Sequence, residues 1–339
     1  MPSYSFLSFR KGAAWSCHRD LLPEWITVFI AFGLFMALEF KTPFMRMFSL
    51  SDLDIQHPFA KTERVPVWVL GILAIVIPVL SFIGGSFLSS FKRYKFVLFH
   101  VSLLAFAISV LMNGFVTNFL KVYIGRPRPD FLARCQPAEG TDQEGLVDVS
   151  VCTTTDMSSL KDGFKSLPSG HASISFSAFY FLSLWMAGQL NVFSPNAPNS
   201  TNGTSLKAIV SSYPILLATY VAISRTEDYR HRGSDIIAGS LLGGIIAWIS
   251  YRLFFPALAA PDCETPYVLR QVLMEEITDN DDYQSSGETP RFQSTPYVPP
   301  RFENTSTLSN RLDSSRLPQG SEPPLQEREL TDFDVTNNV

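Results

Sequence analysis

Charge of either sign is scarce in this sequence. Asp, Glu, Lys and Arg make up 17% of its 339 residues, against 46% hydrophobic, where soluble domains carry roughly 25% charged residues. No basic stripe with interleaved aromatics occurs, which argues against nucleic-acid binding. Cysteine is also sparse, with four residues at positions 17, 135, 152 and 263. None lies in a Cys-x-x-Cys pair or at a Cys/His ligand spacing, so no metal site is indicated. A cleavable leader is not expected: residues 1–20 are polar, with Arg10, Lys11 and Arg19, and the next apolar block is too long for a signal peptide.

What the sequence has instead is long apolar blocks. Six are long enough for a ~30 Å hydrocarbon core, which needs about 20 residues. They cover roughly 22–40, 67–88, 96–120, 171–190, 207–223 and 235–255, the fifth being the shortest and interrupted by Pro214. The expected fold class is therefore all-α: a polytopic membrane protein built as a six-transmembrane-helix bundle. The chain then divides into a cytosolic N-terminal segment (1–20), the membrane domain (21–256) and a disordered cytosolic tail (257–339). The tail is punctuated by Pro290, Pro296, Pro299 and Pro300 among Ser, Thr, Asn and acidic residues, a composition unable to bury enough surface to order itself. A short helix around 266–277 is expected at its start, from Leu269, Val272 and Leu273 at helical spacing.

The polar residues that do lie beside the apolar blocks are grouped. Lys121-Val-Tyr-Ile-Gly-Arg-Pro-Arg128-Pro129 succeeds the third block, Pro168-Ser169-Gly170-His171 opens the fourth, and Ser224-Arg225, His231 and Asp235 fill the gap between the last two. Ionisable groups are costly near hydrocarbon, so such clusters point to function. The first two share one loop, and the third lies two crossings further on, so all three return to one membrane face.

Taken singly, each has a bland reading. A Lys/Arg pair after a span is commonly an interfacial anchor, Pro-Ser-Gly before a helix is a turn and cap, and His231 with Asp235 is a surface pair. Together they offer three fixed cations, two imidazoles and a carboxylate, a set suited to holding and cleaving a phosphate ester. Lys121, Arg128 and Arg225 would stabilise charge on phosphoryl oxygens. Ser169, Gly170 and the start of the fourth helix would add donors. His231 would attack phosphorus, Asp235 would hold its imidazole if 231–235 is helical, and His171 would protonate the leaving group. Charge stabilisation would come from side chains and amides, with no Mg²⁺ required. His18, His57 and His100 read as structural, and Arg126 and Arg232 as solvated neighbours.

These clusters resemble the signature of the type-2 phosphatidic acid phosphatase superfamily, Lys-x6-Arg-Pro, Pro-Ser-Gly-His and Ser-Arg-x5-His-x3-Asp, intact in order and spacing over roughly residues 20–256. More narrowly, Asp52–Pro58, Thr62-Glu63-Arg64-Val65, Arg134-Cys135-Gln136-Pro137 and Val151–Thr154 are similar to fungal diacylglycerol pyrophosphate phosphatases. The resemblance implies a six-helix bundle of the phosphatase/haloperoxidase type. It implies removal of phosphate from diacylglycerol pyrophosphate, phosphatidate and lysophosphatidate through a phosphohistidine, without cofactor or metal. It also implies a vacuolar, Golgi or plasma membrane.

Two alternatives stand beside this reading. A sphingoid-base phosphate phosphatase shares the signature, and an inert lipid-binding or scramblase-like protein would not need His171, His231 and Asp235. Phospholipids in the bilayer are the expected partners, and a homo-oligomer is compatible with the sequence. The basic 92–95 turn and the N-terminal arginines place both termini in the cytosol and the clusters on the lumenal or external face. The sequons at Asn199 and Asn202 would then stay unmodified. In an oxidising lumen Cys135 and Cys152, which share a loop, can pair; otherwise they are free thiols.

Overall fold

The computed structural model describes residues 21–89, 94–141, 144–195 and 203–274. Among them are six long helices: α1 (Leu22–Glu39), α2 (Val67–Leu88), α3 (Lys95–Ile124), α6 (Gly170–Gln189), α7 (Thr204–Glu227) and α8 (Gly233–Phe254). Two short helices, α4 (Phe131–Cys135) and α5 (Met157–Gly163), lie in the long loop between α3 and α6. Among the described residues no strand forms, only isolated bridges between Phe48 and Val147 and between Pro137 and Cys152.

Five of the six long helices are long and apolar enough to cross a membrane; α6 is the exception. Its position explains why. α6 lies at the centre of the bundle against α2, α3, α7 and α8, so it does not need lipid-like side chains. Its serines hydrogen-bond to neighbouring helices instead: Ser177 to Ser109 at 2.9 Å, Ser173 to Thr117 at 2.9 Å, and Ser175 to the Ala218 carbonyl at 3.3 Å. Buried polar groups in an apolar bundle are tolerated when paired in this way. The outer helices turn large apolar side chains outward, among them Phe29, Ile72, Leu216, Ile245 and Trp248. This is a multi-pass membrane protein.

Pro214 does not interrupt its helix. α7 runs through it for 24 residues, as membrane helices allow where neighbours re-satisfy the backbone. Pro78 lies inside α2 in the same way.

α6 and α8 approach most closely. Asp235, Gly239, Gly243, Ala247 and Tyr251 recur every four residues on α8 and are all buried. A Cβ on Gly239 would meet the Ser169 carbonyl oxygen at 2.5 Å, and one on Gly243 would overlap that of Ser173. Small residues at this spacing let two backbones touch. The consequence is functional, because this contact seats the start of α6 on the start of α8.

Above the bundle, residues 41–66 and the α3–α6 loop form a small cap with its own core of Phe48, Ile55, Phe131, Leu160 and Phe164. A disulfide joins Cys135 to Cys152 within it.

The first residues of the expected tail are ordered, and the short helix looked for around 266–277 runs over 267–274. Residues 257–274 pack back onto the bundle, with Cys263, Leu269 and Val272 buried and residues 267–274 helical. Gln189 donates to the Glu264 carbonyl at 2.8 Å. The apolar face at 269, 272 and 273 overrides the local polar composition because it finds a partner surface. Residues 1–20, the sequons and the remainder of the expected tail lie outside the described residues.

Candidate active site

The three clusters converge at one end of the bundle. Lys121 sits in the last turn of α3, which ends at Gly125 in the left-handed conformation (φ 59°). The chain turns there against the Phe44 carbonyl, leaving no room for a Cβ. Lys121 then lies beside the start of α6: a Cβ on Gly170 would come within 2.9 Å of its Nζ. Gly170 is thus the residue that admits the ammonium to the helix N-terminus.

Arg128 is nearly buried and pairs with Asp162 at 2.7 Å, while its Nε finds no partner among the described residues. Asp162 also takes Arg134 at 3.0 Å. Burial alone would raise the Asp162 carboxyl, but Arg128, Arg134 and Lys121 outweigh it and bring the pKa down to about 2.

Ser169 caps α6, its hydroxyl accepting from Ala172 N–H at 3.4 Å, and its own N–H donates to the Asp235 backbone carbonyl at 3.0 Å. The next amides, of Gly170 and His171, belong to the first turn and have no acceptor within the helix, an arrangement suited to an anion.

The last turn of α7 carries Arg225, almost fully buried. Its Nη1 lies 2.9 Å from the Val65 carbonyl, 3.3 Å from both Glu63 and Asp228, and 3.4 Å from His171 Nε2. His171 Nε2 is itself 3.0 Å from the Val65 carbonyl.

The chain then turns through Tyr229 (φ 53°), and His231 N–H donates to the Arg225 carbonyl at 3.3 Å. This returns His231 towards Arg225. Its imidazole is buried, with Nδ1 4.0 Å from Asp235 Oδ2 and without a hydrogen bond among the described residues. Burial first, then Arg128, Lys121 and Arg225, hold its pKa well below the usual 6.5. Above that range His231 is neutral, with a lone pair available.

The condition that 231–235 be helical is not met at its first two residues. α8 begins at Gly233, and the Asp235 carboxylate closes a capping box by accepting from Arg232 N–H at 3.1 Å. The same carboxylate accepts from the Ser166 hydroxyl at 2.6 Å and pairs with Arg126 at 2.8 Å. Arg126 and Arg232 are therefore not merely solvated neighbours. Arg126 holds Asp235, and Arg232 bridges Asp54 at 3.2 Å and the Pro127 carbonyl at 2.9 Å. Partners far along the chain draw both guanidinium groups inward.

Sequence reasoning assigned no role to Ser166, Glu63, the Val65 carbonyl, or the Asp130, Arg134 and Arg230 network. Asp130 takes Arg134 at 3.0 Å and Arg230 at 3.2 Å. Glu63 and Val65 carried a signal within the Thr62–Val65 segment, and Arg134 within Arg134–Pro137; the others carried none. Of the histidines read as structural, His57 stacks on Tyr229 and His100 accepts from Trp25 at 2.8 Å; His18 lies outside the described residues. Among those residues, no group of three or more His, Cys, Asp or Glu side chains could hold a metal ion.

Fold and site together define a helical membrane protein with a cationic, histidine-bearing cleft at one rim. The chain belongs to the PAP2 superfamily, whose family model matches residues 102–258. It is 40% identical over 255 residues to the probable diacylglycerol pyrophosphate phosphatase 1 of Schizosaccharomyces pombe, covering 75% of this chain and 87% of that one. It is also 40% identical over 265 residues to diacylglycerol pyrophosphate phosphatase 1 of Saccharomyces cerevisiae, covering 77% and 88%. With lipid phosphate phosphatase 1 of Arabidopsis thaliana it shares 34% identity over 234 residues, covering 69% and 68%. No solved structure matches.

Proposed function

We propose that this protein is a lipid phosphate phosphatase that removes phosphate from diacylglycerol pyrophosphate, phosphatidate and lysophosphatidate. The carrying observation is the buried His231 imidazole, its pKa depressed and its Nδ1 without a hydrogen-bond partner among the described residues, beside the charges of Lys121, Arg128 and Arg225. The names of the fungal relatives support the choice of lipid.

His231 Nε2 attacks phosphorus as the bond to the leaving oxygen breaks, and His171 gives that oxygen a proton. Asp235 faces Nδ1 and stabilises the charge that develops on the ring. Lys121, Arg128, Arg225 and the first-turn amides of α6 take the non-bridging oxygens. Water, deprotonated by His171, then cleaves the N–P bond and frees phosphate. Fixed cations supply the charge, so turnover proceeds without Mg²⁺.

Both termini lie in the cytosol and the cleft faces the lumen or exterior of a vacuolar, Golgi or plasma membrane, by the basic turn at 92–95. Asn199 and Asn202 then remain unglycosylated, and a mobility shift on glycosidase treatment reverses the orientation.

The experiment is phosphate release from a panel of defined lipids in detergent with EDTA. His231→Ala is expected to abolish release while leaving membrane insertion intact, and ³²P from labelled substrate is trapped on wild type alone. Undiminished turnover in the variant rejects His231 as nucleophile. Preference for sphingosine phosphate over phosphatidate rejects the glycerolipid assignment.

A further inference from the structure

The Thr62–Val65 segment lies outside the family-matched region, and the chemistry above gives it no part, yet it forms one wall of the cleft. The first backbone bond of α2 goes from Leu70 N–H to the Pro66 carbonyl at 3.0 Å. The preceding Val65 carbonyl is therefore left out of the helix, and it points into the site. Arg225 Nη1 lies 2.9 Å from it and His171 Nε2 lies 3.0 Å from it. A carbonyl oxygen only accepts, so both nitrogens donate to it. His171 must then carry its hydrogen on Nε2. The 3.4 Å approach of Arg225 to His171 joins two donors, and it is a consequence of their shared acceptor. Nδ1 is left as the ring nitrogen open to substrate.

Residues 63–65 are held to the α7–α8 turn at several points. Glu63 spans Arg225 at 3.3 Å and Arg230 at 2.9 Å. Arg64 N–H donates to Asp228 at 3.1 Å, and its side chain pairs with Glu227 at 2.6 Å. Val65 itself is buried, and Pro66 stiffens the entry to α2. Glu63 is thus the charged group that ties the carbonyl-bearing segment to two guanidinium groups. Lys121 and Arg128 are the other charges that bear on His171.

We propose that Glu63 is a positioning residue which, with the Val65 carbonyl, locks His171 as the Nε2–H tautomer and fixes the head of Arg225, leaving the Nδ1 lone pair of His171 to take up a proton from solvent, give it to the leaving oxygen and regain one from the attacking water. This rests on the phosphatase reading above, but its first test does not. In the purified full-length protein with ¹⁵N-labelled histidine, the His171 signal, assigned by its loss in His171→Gln, reports the Nε2–H tautomer. A Nδ1–H tautomer overturns the proposal whether or not the protein turns over lipid. In the phosphate-release assay, Glu63→Gln is expected to lower kcat on the order of 10- to 100-fold, the loss typical of a small misplacement of reacting groups. KM changes less, the pH profile shifts, and Glu63→Asp recovers part of the loss. A Glu63→Gln protein that melts earlier yet keeps the wild-type kcat and pH profile also overturns it. A wild type that releases no phosphate removes the functional reading and leaves the tautomer result to decide this one.

Discussion

The Ser166 hydroxyl donates to Asp235 Oδ2 at 2.6 Å across 69 residues of sequence, and neither side chain reaches solvent. With Arg126 on the other oxygen, this bond sets the plane of the carboxylate that faces His231. Ser166→Ala would leave a buried acceptor short of a donor, at a cost of about 1–3 kcal/mol. A lower melting temperature in detergent and a reduced kcat are expected together, with Ser166→Thr restoring much of both. Wild-type melting and turnover in Ser166→Ala would remove Ser166 from the site.

Acid should act on both stability and activity through His231 and Asp162. The folded pKa of His231 is depressed below 6.5, so below that value the unfolded chain binds the extra proton first. The stability that neutral His231 permits is therefore present above pH 6.5 and declines on acidification below it. Asp162, near 2 folded against 3.8 unfolded, contributes above 3.8 and loses its contribution as pH falls towards 2. Both signs agree: denaturation midpoints should fall monotonically below pH 6.5. Because Arg128 is the largest charge contribution to His231, Arg128→Gln should weaken activity and shift the acid limb of the residual kcat/KM upward. A limb unmoved by that change contradicts the electrostatic account of His231.

At Gly239 a Cβ would stand 2.5 Å from the Ser169 carbonyl oxygen and 3.3 Å from its nitrogen. Backbone cannot swing aside as a side-chain end can, so Gly239→Ala should push the Pro168–Gly170 turn off α8. Overpacking of this kind costs about 1–3 kcal/mol. A rise in KM is expected with the loss of stability, because the displaced amides belong to the phosphate cradle. Gly33→Ala, with nothing near its Cβ, is the control.

The Cys135–Cys152 bond closes a loop with a sequence separation of 17. Chain entropy alone assigns such a closure about 3 kcal/mol. Cys135→Ser with Cys152→Ser should therefore lower the melting temperature, and dithiothreitol should do the same to wild type and nothing further to the double variant. Equal melting of wild type and double variant would show that the cap is held by its apolar core.

Much of the molecule is legible in its sequence, and the exceptions share a cause. Five of the six long helices arise from strongly apolar runs, a local property, and α6 falls on the fourth, more polar block, so the order of helices follows the order of blocks. Spacing and parity place Lys121, Arg128, Ser169, Gly170, His171, Arg225, His231 and Asp235 at one face. Sequence reasoning fails where a residue's environment depends on distant chain. Arg126 finds Asp235 109 residues away and Arg232 finds Asp54 178 residues away, and polarity alone makes both look solvated. Composition likewise sets the start of the tail at 257, whereas Leu269 and Val272 meet a waiting apolar surface.

The sequence by itself determined that this chain is a helical membrane protein, and it determined which side chains meet at the rim, because hydrophobic length and motif order need no knowledge of neighbours. Only the tertiary structure decided how those side chains are held. A main-chain carbonyl at Val65 orients His171, and Ser166 and Arg126 grip Asp235. Hydrogen-bond partners of that kind are chosen by distance in space, and a linear order of residues does not encode which backbone oxygen will face an imidazole.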